Sequence, residues 1–133
     1  MHWSEQTYCA AFLAGAPERT IWVLEEGGPL QAFLVARFGA AECELENVVV
    51  ADRYRRRGLA SLLLRALVAS ARERNLHRIL LEVRESNQPA RALYKKAGFR
   101  ENGRRKAYYS HPREDAILLT LALNCTSDGA PNR

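Results

Sequence analysis

No apolar run in this 133-residue chain is long. Val48-Val49-Val50-Ala51 and Ala116-Ile117-Leu118-Leu119 stop far short of the roughly 18 residues a spanning helix requires, which excludes a transmembrane helix. The start, Met1-His2-Trp3-Ser4-Glu5, lacks the basic and then apolar layout of a secretory signal. Cysteine is scarce: Cys9, Cys43 and Cys125 are three, widely spaced and without a C-x-x-C pair, so neither a disulfide framework nor a thiolate zinc site is indicated. His2, His77 and His111 show no metal-ligand spacing either. The chain contains no G-x-x-x-x-G-K-S/T and no G-x-G-x-x-G, which removes the Walker and dinucleotide phosphate loops. It reads as a reduced, cytoplasmic protein without a metal.

What is present is enough for one hydrophobic core: 47% of residues are apolar and 26% charged. Residues 1–123 read as one domain, and 124–133, rich in Thr, Ser, Asp, Gly, Pro and Asn, as a disordered tail. Twenty Lys and Arg against fifteen Asp and Glu give a net charge of +5. That excess suits an anionic partner, whether nucleic acid, a membrane surface or a phosphorylated cofactor.

Ser4 suits an N-cap, and the spacing of Tyr8 and Phe12 predicts a short helix over Glu5 to Ala14, ended by Gly15-Ala16-Pro17. Thr20 to Leu24 and Leu30 to Phe38 predict a β-hairpin about Glu26-Gly27-Gly28-Pro29. Glu42 to Val50 alternates through Cys43 and Leu45 and then turns continuously apolar, the pattern of a central strand. From Leu59 to about Asn75 the period becomes helical, with Leu59, Leu62, Leu63, Ala66, Leu67 and Ala71 on one stripe and Asn75 suited to a left-handed cap. Ile79 to Val83 follows as a buried strand, so strand, helix and strand imply a parallel pair with a right-handed crossover. Pro89 fits the first turn of a helix stopped by Gly98. Phe99 to about Tyr109 and Ala116 to Leu123 complete the set as two strands. The fold class is α+β, a mixed sheet flanked by helices.

One junction stands out. The strand ending at Val48-Val49-Val50 leads through Arg53, Arg55, Arg56 and Arg57 to Gly58, at the mouth of the long helix. Free backbone N–H groups and the positive end of the helix dipole favour an anion there. Gly58 and the small Ala60 let a ligand approach the backbone. The same stretch also fits a solvated basic loop before an ordinary helix. A nucleic-acid patch is a third reading, although no aromatic stacking platform accompanies the cations.

Arg55-Arg56-Arg57-Gly58-Leu59-Ala60 resembles the R/Q-x-x-G-x-G/A signature with which GNAT acetyltransferases hold the pyrophosphate of acetyl-CoA. Leu81-Glu82-Val83-Arg84-Glu85-Ser86-Asn87 and Ala92-Leu93-Tyr94-Lys95-Lys96-Ala97-Gly98-Phe99 resemble the branch of that family that acetylates the N-terminal alanine of a ribosomal protein. The resemblance continues into Arg104 to Tyr109 and Arg113 to Ile117, and includes Trp3-Ser4-Glu5. It implies a GNAT fold and acetyl-CoA as co-substrate. Val48, Val49 and Val50 would offer backbone groups to the acetyl and pantetheine arm, with the Val49 N–H polarising the thioester carbonyl. Arg55, Arg56, Arg57, Gly58, Leu59, Ala60 and Ser61 would surround the pyrophosphate, and Asn87 would contact the cofactor. Glu82 falls on the general base and Tyr94 on the acid that protonates the departing thiolate. The acceptor implied is the N-terminal α-amino group of a protein such as a ribosomal protein, with no direct nucleic acid and no membrane. A small-molecule amine and a non-catalytic CoA-binding domain are the alternatives.

Each residue also has a plainer reading. Tyr94 lies on the apolar stripe of its helix and would fit the core. Glu82 would fit an ion pair with Arg78 or Arg84, and Asn87 a helix cap. Tyr108-Tyr109 with Arg104-Arg105-Lys106 fits either a peptide groove or an exposed strand. Family members usually carry a further strand and helix ahead of the segment matching Trp3-Ser4-Glu5. That predicts an incomplete edge strand beside Thr20 to Leu24, leaving an exposed edge through which two copies would form a homodimer.

Overall fold

The computed structural model describes residues 4–10, 18–25 and 28–123. Seven strands form one sheet: β1 (Ser4–Ala10), β2 (Glu18–Glu25), β3 (Leu30–Phe38), β4 (Glu42–Val50), β5 (Arg78–Arg84), β6 (Arg100–Tyr109) and β7 (Glu114–Ala122). Their order is β1-β2-β3-β4-β5-β7-β6, antiparallel throughout except for the parallel β4–β5 pair. Helix α1 (Leu59–Glu73) makes the crossover between β4 and β5, and α2 (Gln88–Lys96) connects β5 to β6. The hairpin, the period change after Gly58 and the last two strands lie where the sequence pattern predicts them.

The start of the chain differs. Instead of a helix over Glu5 to Ala14, residues Ser4–Ala10 form a strand that pairs with β2 from Ser4 opposite Glu25 to Ala10 opposite Arg19. The remainder of that expected helix, and the tail 124–133, lie outside the described residues. The physical reason is competition for backbone partners. A ten-residue helix is marginal on its own in water, whereas Thr7, Tyr8 and Cys9 are tolerated in a strand, and β2 presents a full row of N–H and C=O groups to pair. The β2 edge is therefore occupied by β1, which is the outermost strand on that side among the described residues.

The alternation of the strands sends Trp22, Leu24, Leu34, Phe38, Ile79, Leu81, Ile117 and Leu119 to one face, where all are buried. Helix α1 covers that face across β2 to β5, inserting Leu63, Leu64 and Leu67. Each such leucine contributes about 1.5–3 kcal/mol by leaving water. Asn75, in the left-handed conformation (φ 59°), follows the end of α1 and turns the chain into β5. The opposite face carries cross-strand ion pairs, Arg37 with Glu44 and Arg78 with Glu42, among half-buried Phe33, Val35, Leu80 and Leu118.

Two irregularities prepare the site. β4 and β5 pair only over Glu42–Arg78, Cys43–Ile79 and Glu44–Leu80, and then separate. In β4, Leu45 lies opposite Ala36 and Asn47 opposite Val35, so Glu46 is an extra residue, a β-bulge. One extra residue reverses the alternation. Leu45 points to the core, Glu46 and Asn47 do not, and Val48 and Val50 return to pack beside it.

Candidate active site

The cleft begins where β4 ends. A single 3-10 turn, Asp52–Tyr54, leads to Arg55 and Arg56, and Arg56 adopts a left-handed backbone (φ 65°). Gly58 follows at φ 76° as the N-cap of α1, with no side-chain cap hydrogen bond and no acidic residue in the first turn. The first N–H groups of α1 are thus left for a ligand, and the dipole there favours an anion. Nothing lies within 4 Å of where a Gly58 Cβ would stand, so the approach is open.

The basic turn divides. Arg55 and Arg56 line the cleft with Gly58, Ala60 and Ser61. Arg55 also donates to the Val50 carbonyl (3.3 Å) and pairs with Asp52 (3.2 Å). Arg57 turns away and lies over the Tyr54 ring, 5.3 Å from its centroid, where it supports the turn and does not line the cleft. Arg53 does not line it either. From this cradle a cleft of about 500 Å³ runs past Val48 and Val50 on one side and Pro89, Ala90 and Leu93 of α2 on the other, down to Tyr94.

The strand register decides which backbone groups of β4 face that cleft. The Ala51 N–H donates to the Gln31 carbonyl (2.9 Å). Bonded positions alternate in an antiparallel ladder, so Val49, two residues earlier and opposite Phe33, is directed toward β3 as well. Val48 and Val50 direct their N–H and C=O groups toward the gap left by β5. The expectation that the Val49 N–H polarises a carbonyl in the cleft is therefore corrected: that geometry belongs to Val48 and Val50. The Val49 side chain is 39% exposed and does not line the cleft.

Asn87 caps α2, its Oδ1 accepting from the Ala90 N–H (3.2 Å), so the plainer reading of that residue holds while it also borders the cleft. Tyr94 is buried and packs edge-on against Phe99 at 5.6 Å between centroids. Burial pushes its phenol above its ordinary value. Tyr94 is at once a core residue and the floor of the cleft, and the helical stripe alone did not separate these roles.

Glu82 stands on the other face. Ile79, Leu81 and Val83 of β5 point to the core, and Glu82 points away from it. The parting of β4 from β5 joins the two faces. A recess of about 280 Å³ passes between Glu46, Asn47 and Val48 on one side and Glu82 and Arg84 on the other, and its inner end meets the main cleft at Val48, Asn87, Ala90 and Tyr94. Glu82 pairs with neither Arg78 nor Arg84 but with Arg105 of β6, Nε to Oε2 at 3.2 Å.

Tyr109 closes the outer end of the recess, stacked over the Arg84 guanidinium at 4.3 Å. Burial, then the Glu82 charge, hold its phenol above the ordinary value and so protonated. Glu114 accepts from the Ser86 backbone N–H (2.9 Å), the Ser86 hydroxyl (3.1 Å) and Arg84 (3.1 Å), which together hold its carboxyl below the usual range. Asp115 likewise accepts from the Ala107 N–H (2.8 Å) and Arg104 (2.7 Å), fixing the irregular stretch of β6 between Arg105 and Tyr109. Sequence reasoning missed Glu46, Asn47 and Tyr54, and it mistook the partner of Glu82.

The free cysteine Cys43 is buried in the core, and burial pushes its thiol up to about 12, so it offers no nucleophile. Among the described residues no group of three or more His, Cys, Asp or Glu is placed to hold a metal, and no helix is long and apolar enough to cross a membrane.

An anion cradle at a helix N-terminus, continuing into a split sheet with a carboxylate on one side and a phenol on the other, is an arrangement that suits acyl transfer. Residues 2–99 match the acetyltransferase (GNAT) family. The chain is 36% identical over 125 residues to the ribosomal protein bS18-alanine N-acetyltransferase of Escherichia coli, covering 92% of this chain and 82% of that one. It is 36% identical over 103 residues to the same enzyme of Haemophilus influenzae, covering 75% and 70%. The crystal structure of the ribosomal-protein-S18-alanine N-acetyltransferase from Escherichia coli matches with a TM-score of 0.75 and 33% identity over 84% of this chain and 74% of that one. The chain belongs to the GNAT family and is an N-acetyltransferase whose acetyl donor is acetyl-CoA.

Proposed function

We propose that the acceptor is the N-terminal α-amino group of a protein, with a ribosomal protein as the class the named relatives favour. The observation that carries this reading is the passage through the sheet. The cleft on the core face fits acetyl-CoA: uncapped N–H groups of α1 with Arg55, Arg56, Gly58, Leu59, Ala60 and Ser61 meet the pyrophosphate, and the backbone of Val48 and Val50 and the border at Asn87 receive the arm. The recess of about 280 Å³ on the other face falls just below the size of drug-sized ligand sites, about 300–1,000 Å³. It admits the terminus of a chain and not its middle.

Glu82 faces the incoming amine and takes its proton, directly or through one water, as nitrogen bonds to the acetyl carbon. The Val48 or Val50 N–H steadies the carbonyl oxygen as it gains charge. Tyr94 gives its hydroxyl proton to the sulfur as the carbon–sulfur bond breaks, and is reprotonated from solvent. An α-amino group titrates near ~8 and a lysine near ~10.4, so roughly a tenth of termini but under roughly one lysine in a thousand is neutral at pH 7. A carboxylate base is sufficient for the first.

The test is a thiol-release assay comparing a peptide with a free α-amine and a small first residue, the same peptide blocked at its terminus, and a polyamine. Blocking should lower the rate by at least about 10²-fold. A polyamine turned over faster than the free peptide would favour a small-molecule acceptor.

A further inference from the structure

The reading of Glu82 as base leaves open what aims it, and its ion pair to Arg105, like Arg19–Glu46 across β3, spans an intervening strand. Arg37–Glu44 and Arg78–Glu42 join residues that the strand register already places opposite one another. Arg105 and Glu82 are not neighbours of this kind. β7 lies between their strands, with Leu118 opposite Glu82 and Ala116 opposite Arg105. Adjacent strands are about 4.8 Å apart, so Arg105 reaches across two strand spacings and one step along the sheet, over the small side chain of Ala116.

Its origin is also prepared. Arg105 is the last paired residue before the irregular stretch of β6, which Asp115 fixes through the Ala107 N–H. Its guanidinium lies 5.1 Å from the Tyr108 ring centroid. It engages Oε2 of Glu82 alone, and the side chain of Glu82 is 23% exposed while that of Arg105 is 55% exposed. Among the described residues, Oε1 has no hydrogen-bond or ion-pair partner, and Glu82 lines the recess.

We propose that Arg105 is a positioning residue: by holding one carboxylate oxygen of Glu82 across β7, it presents the other to the acceptor amine. A glutamate side chain has three rotatable bonds, and fixing one oxygen restricts the rotamers in which the second faces the recess. The arginine end of the pair is open to solvent, so the pair adds little to folding stability and the consequence is read in turnover.

Arg105→Gln should lower kcat about 5- to 20-fold with the KM for acetyl-CoA unchanged and the thermal unfolding midpoint retained. Arg105→Lys, which keeps a cation of similar reach, should recover most of the loss. In a Glu82→Gln background, Arg105→Gln should cause no further loss, because it acts only through Glu82. Wild-type kcat in Arg105→Gln, a Lys variant as slow as the Gln variant, or the same fold-loss in both backgrounds would overturn the proposal. Glu82→Gln as fast as wild type would instead remove the base itself, and with it the premise. Glu82→Gln slow beside an unaffected Arg105→Gln would remove only the role of Arg105.

Discussion

Tyr94→Phe lowers kcat by about 10²-fold or more while acetyl-CoA binds almost as before, as measured by steady-state rates and direct titration. Tyr94 lines both the cofactor cleft and the recess from the opposite face, as its proposed role as proton donor to the leaving sulfur requires. An alkyl thiol ionises near ~8.5 and burial holds the phenol above its ordinary 10, so the proton is present at neutral pH. An acid of this kind must be protonated to act. Its pKa is raised, so activity should be lost only as pH rises past about 10, leaving no alkaline limb from Tyr94 below that. The Phe ring keeps the edge-on contact with Phe99 and the packing of α2. A loss of binding or of fold would assign Tyr94 to the core alone.

Gly58→Asp raises the KM for acetyl-CoA by roughly thirtyfold, about 2 kcal/mol, while kcat at saturation changes little. Aspartate tolerates the left-handed conformation better than most residues and is among the best N-caps, and nothing stands within 4 Å of the new Cβ. The helix should therefore be kept. The carboxylate satisfies the N–H groups that the pyrophosphate would otherwise engage and adds a like charge beside it. Gly58→Asn, neutral and equally able to cap, separates the effects: it should raise KM by less. An unchanged KM in the Asp variant would mean that the anion does not rest on the end of α1.

Much of this arrangement was legible in the sequence, for identifiable reasons. The change of period after Gly58 and the basic residues before it carry both the crossover and the anion cradle, because a helix N-terminus and a glycine are local features. The signature from Arg55 to Ala60 and the run from Leu81 to Asn87 placed the cofactor cleft and the carboxylate by resemblance. The remainder depended on non-local pairing. Ser4–Ala10 became a strand because β2 offered it a partner, a contact that no local periodicity encodes. The bulge at Glu46 and the early parting of β4 from β5 open the passage through the sheet, yet the sequence signals the bulge only by the consecutive polar pair Glu46-Asn47 and the parting not at all. The direction of the Val48, Val49 and Val50 backbone groups follows from which residue of β3 each faces. The partner of Glu82 lies two strands away, beyond reasoning from neighbours such as Arg78 and Arg84.

The account rests on one amine entering the recess beside Glu82 and meeting the acetyl group through the gap in the sheet. A peptide carrying one free α-amine behind a small first residue and one internal lysine, incubated with acetyl-CoA and sequenced by tandem mass spectrometry, tests this directly. A single added acetyl group on the α-amine is expected. Acetylation of the lysine side chain, or an unmodified peptide under conditions where a small amine is acetylated, would contradict it.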